Sequence, residues 1–99
     1  MNSTVIALKV EENDNVATIF SNDVKSDSVV DVLDKKGIKI PVVVLSDIPY
    51  GHKIALQMIG KGEKIIKYGE IIGQASRCIE KGDHVHVQNI ESLRGRGDL

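Results

Sequence analysis

Two of the chain's three histidines lie two residues apart in the segment 81–89, Lys-Gly-Asp-His-Val-His-Val-Gln-Asn. If the segment is a β-strand, alternation places His84 and His86 on one face, about 7 Å apart, with Val85 and Val87 on the opposite, buried face. Two imidazoles at this spacing can share one divalent ion or one anionic substrate. The alternative is two solvated histidines on the wet face of a sheet, and the residues alone leave both interpretations open.

A second pair of candidates follows the predicted turn Pro49-Tyr-Gly51. His52 and Lys53 come directly after it, where side chains are readily presented at a rim. Lys53 offers a cation for a carboxylate, or a base if burial lowers its pKa. The competing interpretation is an exposed lysine without a role in binding.

Three further polar residues are candidates for contacts with a substrate. Lys67 can hold a carboxylate, and Tyr68 can donate a phenolic hydrogen bond, although a tyrosine between Ile66 and Gly69 is equally suited to anchor a core or an interface. Asn89 can orient a ligand hydroxyl or close a turn. Each of the three therefore has a binding and a structural interpretation.

Short segments rich in β-branched residues must position these side chains. Residues 4–10 and 15–20 are separated by a polar turn and predict a β-hairpin. Residues 28–33 and 38–45 predict two more strand segments around a second turn, and Pro41 interrupts the latter. The first half of the chain is therefore expected to consist of strands.

One small phrase recurs along the second half of the chain: an isoleucine, two residues, a glycine, two polar residues and a β-branched residue. A glycine at this place suits a tight turn with a positive φ that leads back into a strand. Strands this short do not form a large open sheet, so the phrase predicts a mainly β fold, a small irregular barrel or clip. The three copies are residues 48–54, 59–65 and 79–85.

Helix is expected to contribute little. Only two windows, Gly51 to Ile59 and Glu70 to Ile79, place apolar residues at helical spacing. The sequence therefore predicts one or two short helices beside the strands.

The composition limits the class of protein. A chain of 99 residues forms one domain with a modest core. Its 13 basic and 14 acidic residues are interleaved, which argues against nucleic acid or an anionic membrane as a partner. No apolar run is long enough to cross a bilayer and the first residues lack a signal-peptide pattern, so a cytoplasmic location is expected. Cys78, the single cysteine, is expected to be a small buried apolar residue.

Three blocks in a fixed order resemble a known family: Gly51-His-Lys53, Lys67-Tyr-Gly-Glu70 and His84-Val-His86. Together they resemble the N-terminal region of the altronate and galactarate dehydratase family. In that family the region is a SAF-type domain with a β-clip fold, either fused to a large catalytic region or present as a separate small subunit. The small subunit of the sulfolactate sulfo-lyases shares the pattern. The resemblance implies a SAF-type domain over residues 1–91, and the C-terminal residues 92–99 are expected to form a flexible tail.

The resemblance also implies a function. The chain is expected to be the small subunit of a two-subunit lyase that dehydrates a sugar acid such as altronate or galactarate, with an active site completed by a large catalytic subunit. Such a reaction needs a base, an electrophile and a general acid. The expected catalytic residues are His52, Lys53, His84 and His86. Lys67, Tyr68 and Asn89 are expected to bind substrate, and His84 and His86 a divalent metal, Fe²⁺ or Mn²⁺.

Alternatives to this function stay open at the level of the sequence. The chain is also compatible with the small subunit of a sulfolactate sulfo-lyase, or with a non-catalytic SAF-type module that binds a carbohydrate or scaffolds its partner, although the Gly-His-Lys and His-Val-His blocks favour the lyase subunit. Many members of the family carry a further histidine at the position of Gln88, which puts a three-histidine ligand set in doubt. A two-histidine site completed by carboxylates of the large subunit, or by substrate oxygens, remains compatible. Arg94 and Arg96 are candidate contacts with that subunit.

Overall fold

The structure, a computed structural model, describes residues 5–92, and side chains from Ala7 onward. Of the predicted C-terminal tail, residues 93–99, with Arg94 and Arg96, lie outside the described residues. The described residues form nine strands and no helix. They are β1 (Val5–Lys9), β2 (Val16–Ile19), β3 (Val29–Asp34), β4 (Lys39–Val43), β5 (Lys53–Ala55), β6 (Lys64–Lys67), β7 (Glu70–Ala75), β8 (His84–Val85) and β9 (Ile90–Glu91).

The strands form two sheets. The larger sheet has the order β4-β3-β1-β2-β5-β8 and curls into a half-barrel, and the smaller has the order β6-β7-β9. The predicted hairpin is confirmed as the antiparallel pair β1–β2, and the second pair of segments as the antiparallel pair β3–β4. A parallel pairing of β1 with β3 joins these two hairpins into one sheet. The mainly β fold class is therefore confirmed.

Both predicted helices are wrong within the described residues. The window from Gly51 to Ile59 contains β5, and the window from Glu70 to Ile79 contains β7. β7 pairs with β6 through a two-residue turn at Tyr68 and Gly69, whose φ angles of 57° and 75° are those of a tight hairpin turn. This pairing overrides the helical spacing of a few isoleucines, which are also strong strand formers. No helix in residues 5–92 is long and apolar enough to cross a membrane.

Pro41 does not interrupt its strand. It lies inside β4 opposite Asp31 of β3. Proline is tolerated there because β4 is an edge of the sheet, where a missing N–H breaks no second ladder.

The recurring glycine phrase builds the turns as predicted. Gly51, Gly62 and Gly82 have φ angles of 84°, 87° and 93°. Each is followed within two residues by a new strand, β5, β6 and β8 respectively. Because a side chain is strained at this φ, glycine is the residue that fits the turn.

The core consists of two clusters that meet at β2 and β5. Ile59 and Ile79, the first residues of two copies of the phrase, exchange both backbone hydrogen bonds at 2.8 Å and are buried in the second cluster. Cys78 is exposed, contrary to the sequence prediction, because the buried position beside it is taken by Ile79. The first cluster contains Ala7, Ala17, Ile19, Val24, Val30, Val32, Val42, Val44, Ile48 and Ile54; the second contains Val16, Ala55, Ile59, Ile65, Ala75, Ile79 and Val85.

Candidate functional site

Two copies of the glycine phrase bring the three histidines together. β5 and β8, the strands that follow Gly51 and Gly82, are antiparallel, with Lys53 opposite Val85. Extending this register by one residue places His52 opposite His86. The imidazoles of these two residues stack with their centroids 3.7 Å apart and an interplanar angle of 13°.

His84 joins this pair and completes a cluster of three imidazoles. Nδ1 of His52 lies 2.8 Å from Nε2 of His84, a hydrogen-bond distance that requires one nitrogen to donate and the other to accept. The ring centroid of His84 lies 5.0 Å from that of His52 and 5.8 Å from that of His86. One nitrogen of each ring lies within 4.8 Å of the others. The predicted pair of histidines is therefore part of a three-histidine cluster.

Pro49 explains why a histidine fits at position 52. In the other two copies of the phrase, the acidic side chain after the glycine accepts a hydrogen bond from the backbone N–H three residues earlier. In the first copy the earlier residue is Pro49, which has no N–H to donate. The side chain of His52 therefore has no such group to satisfy, and its ring contacts His84 instead. The two acidic pairs are Glu63 with Gly60, at 2.7 Å, and Asp83 with Glu80, at 2.9 Å.

The electrostatics of the cluster favour the uncharged forms of His84 and His86. The pKa values of His84 and His86 are both lowered, mainly by partial burial and secondly by repulsion from His52. Lys53 lies beside them, and its pKa is lowered by partial burial and then by the ammonium of Lys67. Neutral imidazoles keep a lone pair for a proton or a metal ion, so the cluster can serve as a base or as a set of ligands.

An open depression of about 270 Å³ adjoins the cluster. It is lined by His86 and Lys53, by the apolar residues Ile72, Val87 and Ile90, and by Ser92. Val87 is 80% exposed, so the prediction that it fills a buried face is wrong, whereas Val85 is buried as predicted. The reason is that β8 ends at Val85 and the chain then turns.

Asn89 closes that turn. Its side-chain amide donates to the carbonyl of His84 at 2.9 Å, and its Oδ1 accepts the backbone N–H of His86 at 3.0 Å. Asn89 is buried, so these bonds are shielded from water. Gln88 also donates to the carbonyl of His84, at 3.1 Å. Of the two interpretations of Asn89, the structural one accounts for its contacts, and its predicted contact with substrate stays a prediction.

Lys67 and Tyr68 lie at the end of the β6–β7 hairpin. The Lys67 ammonium sits 4.7 Å from the centre of the Tyr68 ring, and Tyr68 is exposed. Neither residue lines the depression beside His86. The charge of Lys67 acts on the site by lowering the pKa of Lys53. Their predicted role in binding substrate stays a prediction.

The three imidazoles fit a divalent metal ion by ligand type and by spacing. Two nitrogens bound to one ion at 2.0–2.1 Å lie about 3 Å apart, close to the 2.8 Å between His52 and His84. His86 must turn its ring to bring a nitrogen equally close. His52 is therefore a third potential ligand beside the predicted pair, even with Gln88 in place of a further histidine.

Comparison with known proteins identifies the domain. The family model described as the altronate/galactarate dehydratase SAF domain matches residues 5–93. The chain belongs to this family. It is 39% identical over 85 residues to altronate dehydratase of Bacillus subtilis, covering 86% of this chain and 16% of that protein. It is 36% identical over 84 residues to galactarate dehydratase (L-threo-forming) of Escherichia coli, covering 83% and 14%.

A shorter relative is also similar to this SAF domain. The chain is 45% identical over 49 residues to (2R)-sulfolactate sulfo-lyase subunit alpha of Paracoccus pantotrophus, covering 50% of this chain and 73% of that subunit. Stretches similar to this chain therefore occur within much longer dehydratases and within a protein named as a subunit. This chain spans 16% of the altronate dehydratase that it resembles.

Sequence reasoning missed two buried polar residues that tie the two sheets of the SAF domain together. The Asp14 carboxylate accepts hydrogen bonds from the backbone N–H groups of Glu11, at 2.9 Å, and Gly69, at 2.8 Å. It therefore joins the β1–β2 turn to the β6–β7 turn. Asn15 makes two hydrogen bonds with the backbone of β6. The residues 11–14 look like any polar turn in the sequence, and no local signal marks Asp14 and Asn15 as buried.

Proposed function

We propose that this chain is the small subunit of a two-subunit lyase that removes water from a sugar acid, and that its histidine cluster and Lys53 form one wall of an active site completed by a large subunit. The observation that supports this proposal most strongly is that three imidazoles and a lysine, located in or directly next to β5 and β8, converge beside an open depression. A domain that only scaffolds its partner does not require all of its histidines to meet.

The cluster supplies groups that a dehydration needs. An uncharged imidazole is suited to take the proton next to the substrate carboxylate, because His84 and His86 both have lowered pKa values. The electron pair of that C–H bond then forms the new double bond, and the neighbouring hydroxyl leaves with a proton as water. Lys53 is suited to hold the carboxylate because it lines the depression beside His86. It also forms none of the ion pairs among residues 5–92, which involve Lys25, Lys35 and Lys36.

A divalent ion belongs to the same proposal. His52, His84 and His86 would hold it, and with their lone pairs engaged the substrate proton would be taken by a base of the large subunit. Once bound, such an ion supplies a Lewis acid for the carboxylate and the leaving hydroxyl. The protein ligands that complete the sphere, together with the general acid, come from the large subunit, because the cluster itself contains no carboxylate.

The large subunit is proposed to cover the depression. The apolar residues Ile72, Val87 and Ile90 line the same depression as His86, so a partner that completes the site is expected to contact them. The naming of a sulfo-lyase relative as subunit alpha supports a multi-subunit assembly. A charge at Val87 should then weaken assembly: Val87→Asp is expected to lose binding to the large subunit in gel filtration. Met58→Asp, at a residue 62% exposed and outside the depression, is the control.

The test of function is turnover by the assembled complex. Altronate, galactarate and sulfolactate are offered to the large subunit with and without this chain, and loss of water or of sulfite is measured. Sugar-acid dehydration that needs both chains, and that falls at least about 100-fold in His86→Ala, is the expected result. If the complex turned over sulfolactate but neither sugar acid, the proposed substrate would change from a sugar acid to a sulfo acid.

A matched control exists for Lys53. Lys64 occupies the equivalent position in the second copy of the phrase and is exposed, away from the depression. Lys53→Ala should raise KM or abolish turnover, whereas Lys64→Ala should leave both unchanged. Full activity of the large subunit alone, or an unchanged rate in His86→Ala, would show that this domain has no part in the chemistry.

A further inference from the structure

All three histidines of the chain lie in one cluster. Metal binding by this cluster can be measured on the chain alone, without the proposed large subunit. We infer that the chain alone, before any partner joins it, binds one divalent transition-metal ion of the Co²⁺, Ni²⁺ or Zn²⁺ type through His52, His84 and His86, and binds Mn²⁺ much more weakly. This inference deepens the proposed function, since it assigns the metal of that site to this chain's own imidazoles.

The backbone around the cluster is held before any metal binds. β5 and β8 are paired directly at Lys53 and Val85, and Asn89 fixes the carbonyl of His84 and the N–H of His86. The nitrogens of His52 and His84 already face each other at 2.8 Å. Only side-chain rotation, chiefly of the stacked His86 ring, remains for a third nitrogen to join them. Binding therefore requires little ordering of the chain.

The type of ligand decides the choice of metal. The cluster offers three imidazole nitrogens and no carboxylate oxygen. Imidazole suits zinc, nickel and copper, whereas Mn²⁺ and Mg²⁺ are held by oxygen ligands, and affinities rise from Mn²⁺ towards Cu²⁺ at a given site. An ion held by three protein ligands also keeps an open position. His86 lines the depression, so this position is expected to face it.

Cys78 is the chief rival ligand, because a thiolate also binds Co²⁺ and Zn²⁺ and this one is exposed. Cys78→Ser is therefore the matched control. The histidine variants are His52→Ala and His86→Ala, with His86→Gln as a substitution that keeps a polar side chain of similar size. Circular dichroism of each variant shows whether its strands are retained, and only variants that keep the parent spectrum are titrated.

The experiment titrates the purified full chain with CoCl₂ followed by visible absorption, and with ZnCl₂ and MnCl₂ followed by calorimetry. One ion per chain is expected, with Mn²⁺ at least tenfold weaker than Co²⁺. Each histidine variant should weaken Co²⁺ binding by more than about 100-fold, beyond the 10–100-fold typical of residues that only orient a ligand. Cys78→Ser should bind as the parent does.

Several results would overturn the inference: no saturable binding, full affinity in His52→Ala, loss of binding in Cys78→Ser, or Mn²⁺ bound as tightly as Co²⁺. The assay uses no large subunit and no substrate. An active complex whose small chain binds no metal alone would therefore refute this inference and leave the proposed function standing.

Discussion

Gly82 tests the packing of the turn that carries His84, because its equivalent in the second copy of the phrase, Gly62, has the same backbone but different surroundings. Their φ angles are 93° and 87°. A Cβ built on Gly62 has nothing within 4 Å, whereas one built on Gly82 overlaps the carbonyl oxygen of Val43. Substituting each by alanine therefore separates the cost of the backbone conformation from the cost of the contact.

The magnitude follows from these contacts. Both alanines incur about 1 kcal/mol for a left-handed backbone. At Gly82 the overlap also forces the turn away from β4 and β5. This displacement breaks the hydrogen bonds from Leu45 N to Gly82 O, 3.0 Å, and from Gly82 N to Ala55 O, 2.9 Å. At about 1 kcal/mol for each bond, Gly82→Ala should lose about 3 kcal/mol of unfolding free energy, and Gly62→Ala about 1 kcal/mol.

The assay is urea denaturation of both variants and the parent, with thermal melts as a second measure. A difference of about 2 kcal/mol corresponds to roughly 8–16 °C in Tm for a domain of this size. If Gly82→Ala and Gly62→Ala unfolded at the same urea concentration, the close contact between the Gly82 turn and β4 would be wrong. Equal stability of Gly62→Ala and the parent would instead contradict the positive φ at that turn.

Two more predictions concern the buried polar residues. Burial alone raises the pKa of Asp14, but backbone hydrogen bonds, those of Glu11 and Gly69 foremost, outweigh it and lower the pKa. The ionised carboxylate therefore stabilises the fold above the unfolded pKa of about 3.9, and this stability is lost as the pH falls through the lower folded pKa. Asp14→Asn should lose about 1–3 kcal/mol of unfolding free energy at pH 7, measured by urea denaturation, and less near pH 3. An equal loss at both pH values would refute the stabilising role of the ionised Asp14 carboxylate. Asn89→Ala should lose about 1–3 kcal/mol of unfolding free energy and also slow turnover of the complex, because the His84 carbonyl and the His86 N–H lose their partner; parent-like behaviour would exclude a positioning role for Asn89.

Short-range features of this protein are readable in the sequence. Glycine in each copy of the phrase specifies a turn with positive φ, and β-branched residues after it specify a strand, so the mainly β class and the positions of Gly51, Gly62 and Gly82 were predictable. Where a few residues allow two structures, the sequence misleads. Residues 70–79 have helical spacing, yet β7 forms because β6 lies beside it to accept its hydrogen bonds.

Partly predictable features lie at the ends of the strands. Val85 is buried as alternation predicts. Val87 is exposed because β8 ends at Val85 and the chain then enters the turn that Asn89 closes. Cys78 is exposed for a similar reason, since the chain places Ile79 in the core. Alternation holds only while a strand continues, and the sequence does not show where pairing stops.

The candidate site shows what the sequence determined and what the tertiary structure decided. The sequence specified His84 and His86 as a pair two residues apart, and it placed His52 and Lys53 after a turn. Only the antiparallel pairing of β5 with β8 brings Nδ1 of His52 to 2.8 Å from Nε2 of His84, 32 residues further along the chain. Local propensity fixes the geometry of each turn, but contacts between distant segments depend on which strands pair, and that is decided by burial of the shared core.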